Sequence, residues 1–447
     1  MDHRALRICR YDVLMNILVC GGSVVNSKLL GGVLLVVGTT IGAGMLALPV
    51  ATAQLGFWGS LVLLVACWGV MTACAFLFLE VNLWLPANSN LVSMAGATLG
   101  KTGQAVAWVV YLVLLYSILC AYIAGGGDLF HYILATSSLH ISQAVSSMLF
   151  TVIFGTVVYF GIRSVDYVNR ALMFGKMGTL LLLICLVLPF ISSTNLNSGE
   201  FKKIVAPSSL TVTAVSFCCL MIIPSLRTYF DADIKTLRKA ILIGTLIPLV
   251  CYIAWDMVIM GVVPLDGTPG LRPMLQSTST NSDLLSALTS ILQKDTVTVL
   301  AKFFTSICMA TSFLSVSLSL SDFLSDGLRV KKQGFLGNLI VIGATFAPPL
   351  LLVLFYPNAF LLGLEFAGIS VFILTILLPP LMAWAGRYHK DFSSTHFQVP
   401  ANKAMLVFLI IFAVIMLLIS GKLGMIALAV VSAMFAIGFF YEKTIKI

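Results

Sequence analysis

The chain reads as an all-α integral membrane protein of eleven or twelve spans, ten of them forming an inverted five-plus-five repeat with broken first and sixth members. Three observations predict this. The 447 residues are 60% hydrophobic and only 10% charged, with a mean hydropathy of +1.06, which excludes a soluble globular domain. Runs of the roughly 20 apolar residues needed to cross hydrocarbon recur along nearly the whole length. Glycine and proline then interrupt two of those runs, five spans apart, the spacing at which inverted repeats place their discontinuous helices.

Apolar runs bounded by turn signals place spans near 29–55, 58–85, 104–134, 145–161, 166–190, 208–229, 239–262, 297–326, 336–356, 359–384, 403–419 and 424–441. The last is short and separated from its neighbour only by Ser420, Gly421, Lys422 and Leu423, so the count is eleven or twelve. With the N-terminus in the cytoplasm, eighteen Lys and Arg fall on the inner side and five on the outer, the bias that sets orientation. That distribution accounts for the formal charge of +9 without a nucleic-acid partner. Three regions follow: a cytoplasmic N-terminal arm at 1–28, a ten-helix core at 29–384, and a cytoplasmic loop with accessory helices at 385–447. The arm imitates a signal peptide, with three arginines before a moderately apolar run, but no small-x-small cleavage site follows it. A short surface helix is expected within 86–103. Residues 264–296 form the longest outer loop, with an amphipathic helix at 283–292.

Cysteines sit mostly inside apolar runs, where a lone thiol behaves as a small hydrophobe, and the five histidines show no metal spacing. No metal or organic cofactor is expected.

The first break is the run G-T-T-I-G-A-G-M-L-A-L-P at 38–49. Lipid offers no partner to freed backbone groups, so such a run must face protein or a cavity. Its open N–H groups and the following half-helix suit a carboxylate, and its carbonyls suit an ammonium group or cation. Close packing through small residues is the competing reading. The second break, at 217–225, contains Pro224, which removes a backbone donor; an ordinary proline kink is its alternative.

Lys176 lies about ten residues, or ~15 Å, along the fifth span from Asp166. Snorkelling from there is difficult, so Lys176 is a candidate proton carrier or a fixed replacement for a bound cation; tying carbonyls together is the structural alternative. Thr311, Ser312, Ser315, Ser317, Ser319 and Ser321 give the eighth span a hydroxylated region suited to Na⁺ or to routine interhelical bonding. Glu80, Asp128, Asp256 and Glu365 are costly within spans, Glu80 being near enough to the inner face to be partly hydrated. Tyr111, Tyr116, Tyr122, Phe303, Phe304 and Phe313 could line an apolar pocket or simply pack.

With these residues in view, the chain resembles the hydroxy and aromatic amino acid permeases, including bacterial tyrosine-specific transport proteins. The resemblance runs from about Leu29 to Trp384 and is carried most specifically by G-G-V-L-L-V-V-G-T-T-I-G-A-G-M-L-A-L-P-V at 31–50. L-E-V-N-L at 79–83, A-Y-I-A-G-G-G at 121–127, V-D-Y-V-N-R at 165–170, I-P-L-V-C-Y-I-A-W at 247–255 and T-S-F-L-S-V-S-L at 311–318 support it. It implies the amino acid, polyamine and organocation transporter fold and proton-coupled import of an aromatic amino acid, tyrosine first and tryptophan next, across a bacterial inner membrane. A Na⁺-coupled transporter or an uncoupled exchanger of large neutral amino acids is the alternative, and a membrane-embedded enzyme a remote one.

By position, the resemblance assigns the substrate to Thr39, Thr40, Ile41, Gly42, Ala43 and Gly44 in the first span and to Phe217, Cys218, Leu220 and Met221 in the sixth. Gly38, Ile41, Cys308, Thr311 and Ser312 are similar to the cation site of sodium-coupled relatives, and Lys176 resembles the lysine that some proton-coupled relatives place there. The chain departs from its relatives in reading F-C-C-L-M at 217–221 where F-G-F-H-G is usual, in Asp256 where many carry glutamine, and in the twelfth span.

Overall fold

The structure, a computed structural model, describes residues 24–87, 89–136, 141–231, 233–328, 330, 334–356, 359–390, 392 and 397–445. All twelve predicted apolar stretches are helical, and no strand occurs among the described residues. Single turns apart, the helices are α1 (Val24–Thr40), α2 (Ala43–Ala51), α3 (Gly56–Leu83), α4 (Leu91–Thr136), α5 (Gln143–Tyr159), α6 (Ile162–Val187), α7 (Pro207–Ser216), α8 (Ile223–Tyr229) and α9 (Ile234–Val262). They continue as α10 (Thr280–Leu292), α11 (Asp295–Gly327), α12 (Gly334–Phe355), α13 (Ala359–Val371), α14 (Leu378–Tyr388), α15 (Lys403–Ile419) and α16 (Gly421–Ile445). Among the described residues, eight helical stretches are long and apolar enough to cross a membrane, and the pair α1–α2, bent by 53°, makes a ninth. Gln143–Tyr159, Lys403–Ile419 and Gly421–Ile437 are shorter apolar helices. This is a multi-pass membrane protein.

Sequence and structure differ in instructive places. α1 begins at Val24 rather than at 29; the rest of the expected arm, 1–23, lies outside the described residues. The surface helix expected within 86–103 is the start of α4, set off from the third span by Gly100 at φ 78°, a conformation open to glycine at little cost. Pro224 does not kink a continuous helix. It stands in the first turn of α8, where its missing N–H would have no helical partner anyway. The tenth span carries a π-helical turn, Phe372–Leu377, directly before Pro379 and Pro380, whose absent donors free carbonyls one turn earlier. The amphipathic helix of the long loop forms as α10.

Small residues decide how closely the spans approach. In the A-Y-I-A-G-G-G run, a Cβ on Gly125 would stand 2.7 Å from both Asn281 Nδ2 and Met309 Cε, while one on Gly126 or Gly127 would overlap Phe150 or Ser147. One turn of α4 thereby admits α5, α10 and α11 together. Beside it, the Asp128 carboxylate accepts from the Ser282 N–H at 2.9 Å and the Ser282 hydroxyl at 2.6 Å, pinning the first turn of α10 to the third span.

Glu80 is fully buried rather than partly hydrated. Arg387 grips it with two donors, at 2.7 and 2.6 Å, and also donates to the Val399 and Ala401 carbonyls, while the Val399 N–H donates to Glu80 at 2.8 Å. A buried pair this well supplied with hydrogen bonds overcomes its desolvation, whereas removing one partner would leave a buried charge alone at a cost of about 3–5 kcal/mol. At the same end of the bundle, Arg227 donates to the Asn82 and Leu85 carbonyls and so satisfies the end of α3. Asp233 caps α9 through the Lys235 and Thr236 N–H groups, and the Thr236 hydroxyl holds its carboxyl below the usual range.

Candidate functional site

The broken first span organises the site. α1 ends at Thr40, and α2 begins at Ala43 after Gly42, which is extended at φ −152°, ψ −152°. Two groups are recaptured locally, by Ile41 N–H to the Val37 carbonyl and Met45 N–H to the Gly42 carbonyl. Three others are met by side chains from three different helices. Lys176 of α6, 1% exposed, donates from Nζ to the Ile41 carbonyl at 2.7 Å. Tyr252 of α9 places its hydroxyl 2.7 Å from the Thr40 carbonyl. The Ala43 N–H donates to Ser312 Oγ of α11 at 3.0 Å.

Gly42 and Gly44 are both needed here. A Cβ on Gly42 would overlap Ser312 Oγ, and one on Gly44 would stand 2.9 Å from Ser216 Oγ and 3.5 Å from Ser216 Cα. The second contact sets the first break against the end of α7, so the two interruptions are neighbours. α7 stops at Ser216, and Phe217 and Cys218 close by short turns onto Ala214 and Val215 before the single 3-10 turn at Leu220–Ile222 and α8. Phe217 and Leu220 are buried, while Cys218 and Met221 are partly exposed.

The predicted residues divide accordingly. Ile41, Gly42, Ala43, Gly44, Lys176 and Ser312 converge on the first break. Thr40 contributes its carbonyl, whereas its hydroxyl turns back to Val36 O at 2.7 Å. Thr39 is exposed and bonds to Val36 O at 2.8 Å, so its side chain does not join the cluster. Thr311 likewise turns its hydroxyl to the Ile307 and Cys308 carbonyls of its own helix. Cys308 is buried within electrostatic reach of Lys176, and Gly38 faces Met173, to which a Cβ would come within 2.9 Å. Among the described residues no cluster of three or more His, Cys, Asp or Glu could hold a metal ion.

Tyr252 is the participant that residue-level reading passed over, although it stands inside the quoted I-P-L-V-C-Y-I-A-W run. A tyrosine in the middle of a span needs a partner for its hydroxyl, and that was the available signal. Asp256, one turn further along α9, is also buried and accepts from the Ser60 hydroxyl at 2.5 Å.

In this buried junction between helices, carbonyls that could serve a cation and an N–H that could serve an anion are held by Lys176, Tyr252 and Ser312. Comparison with known proteins agrees with a carrier. The profile of the tryptophan/tyrosine permease family matches residues 25–420. The chain is 35% identical over 361 residues to tyrosine-specific transport system 1 of Haemophilus influenzae, covering 81% of this chain and 89% of that one. It is 31% identical over 424 residues to the tryptophan-specific transport protein of the same organism (90% and 98%), and 30% identical over 361 residues to glutamine transporter 2 of Aliivibrio fischeri (80% and 89%).

Proposed function

Since the chain belongs to the tryptophan/tyrosine permease family, we propose that it imports an aromatic amino acid, tyrosine first and tryptophan next, together with protons by alternating access across a bacterial inner membrane. The observation that carries this reading is the buried Lys176 Nζ on the Ile41 carbonyl, a group able to bind and release a proton at the broken helix. A Na⁺ ion at the same carbonyl would have to displace Lys176 Nζ and, whenever the lysine is protonated, would meet a like charge in a poorly screened interior, so the geometry favours protons over Na⁺ as the coupling ion.

The substrate's α-carboxylate approaches the N–H groups that open α2, displacing Ser312 Oγ from Ala43, where the helix dipole favours negative charge. Its ammonium takes the Thr40 carbonyl that ends α1, whose second lone pair remains beside the Tyr252 hydroxyl. The side chain extends toward Phe217, Cys218 and Met221. Apolar and unbranched by charge, that surface suits an aromatic ring, although the glutamine transporter among the relatives means that family membership alone leaves the side chain open. A protonated Lys176 binds the Ile41 carbonyl more strongly than a neutral amine does. Coupling then requires that the outward- and inward-open states differ in their affinity for that proton.

Purified protein in Na⁺-free proteoliposomes tests this directly. An outside-acid pH gradient should drive accumulation of labelled tyrosine. Uptake that ignores the pH gradient and follows a Na⁺ gradient contradicts the proposal, and counterflow without net accumulation would identify an exchanger.

A further inference from the structure

α9 runs alongside α1 with small residues on the facing side. A Cβ on Gly32 would stand 3.5 Å from Ala240 Cβ, and one on Gly244 2.6 Å from Val36 Cβ. Pro248 follows one turn later and lacks the N–H that would otherwise close on the Gly244 carbonyl. This close approach delivers the Tyr252 ring, wholly buried, into the gap between the two breaks. The Phe217 ring meets it edge-on, with centroids 5.2 Å apart.

The hydroxyl there serves two helices at once. It lies 2.7 Å from the Thr40 carbonyl oxygen and 2.8 Å from that of Ser216, and these are the last residues of α1 and α7. Both carbonyls belong to helix ends that lack intrahelical donors. A phenol carries a single proton, so the two acceptors share it, and their separation cannot exceed the reach of two hydrogen bonds through one oxygen.

We infer that Tyr252 is a positioning residue that fixes the spacing between the two breaks and thereby sets how strongly the permease prefers a large side chain. The inference rests on the reading above, in which the first break holds the substrate's main chain and the sixth its side chain. A ligand gripped by both breaks feels their spacing. One that reaches only the first does not.

L-tyrosine and L-alanine separate these cases, because both carry the same ammonium and carboxylate but only tyrosine reaches the sixth break. Inhibition constants for both are measured against labelled tyrosine counterflow with the full chain in proteoliposomes, for wild type and Tyr252→Phe. The variant should lose about tenfold in tyrosine affinity, the size of one buried hydrogen bond, with alanine changing less than about twofold. An unchanged ratio of the two constants would make Tyr252 a packing residue and overturn the inference, as would an equal loss for both ligands. A wild-type protein with no preference for tyrosine over alanine would instead remove the aromatic-substrate reading on which it rests. Should Tyr252→Phe fail to yield folded protein, Tyr252→Gln, which keeps a donor but not the reach to both carbonyls, is read against the same ratio.

Discussion

In the first break three helices each send a side chain to one backbone group, Lys176 to Ile41, Tyr252 to Thr40 and Ser312 to Ala43. In the sixth, the described side-chain partner is Tyr252 on Ser216, and the residues that follow are Phe217, Cys218, Cys219, Leu220 and Met221. The first is a polar junction whose geometry is determined several times over. The second is an apolar surface with two partly exposed members, Cys218 and Met221. The difference points to a division of labour: the part of the substrate common to every amino acid is read where the backbone is held most firmly, and the part that varies is read where side chains can change without disturbing a hydrogen-bond network.

Substitutions in the first break should therefore damage transport as such, and substitutions in the sixth should alter choice. The largest effect belongs to Lys176→Ala, which leaves the Ile41 carbonyl without its donor; pH-gradient-driven accumulation should disappear while counterflow persists, measured on the same vesicles. Next comes Gly42→Ala, whose methyl group would overlap Ser312 Oγ. Overpacking of about 1–3 kcal/mol predicts a fall of about five- to 150-fold in initial uptake rate. Adding Ser312→Ala to Gly42→Ala should recover part of that loss, and a double-mutant cycle showing strict additivity would break the claimed contact. Ser312→Ala alone leaves the Ala43 N–H unpaired until a carboxylate takes it and should raise affinity for tyrosine and tryptophan alike roughly five- to tenfold, slowing substrate release. Smallest is Met221→Leu, expected to shift the tyrosine-to-tryptophan preference a few-fold, as a change of shape in an apolar pocket does, with accumulation intact.

Much of this contrast is written in the sequence, and its limits are physical. Glycine and proline spacing reveals both breaks because a helix interruption is a local property. Lys176 stands out because a charge at that depth is costly wherever its neighbours lie. Hydroxyl direction is different: Thr39, Thr40 and Thr311 bond back to their own helices, whereas Ser312 reaches across to Ala43, and rotamers rather than residue types separate them. Tyr252 and the Glu80–Arg387 pair depend on which spans are neighbours. The latter joins residues 307 positions apart, so no local pattern announces it, and the position of Glu80 near the inner face points instead to partial hydration.

The division of labour itself is tested most directly by one competition assay. Counterflow of labelled tyrosine is challenged with tryptophan, phenylalanine and leucine in wild type, Lys176→Ala and Met221→Leu, reconstituted side by side. The account predicts that Lys176→Ala keeps the wild-type order of competitors and that Met221→Leu changes it. A reordering in Lys176→Ala, with the wild-type order preserved in Met221→Leu, would contradict it.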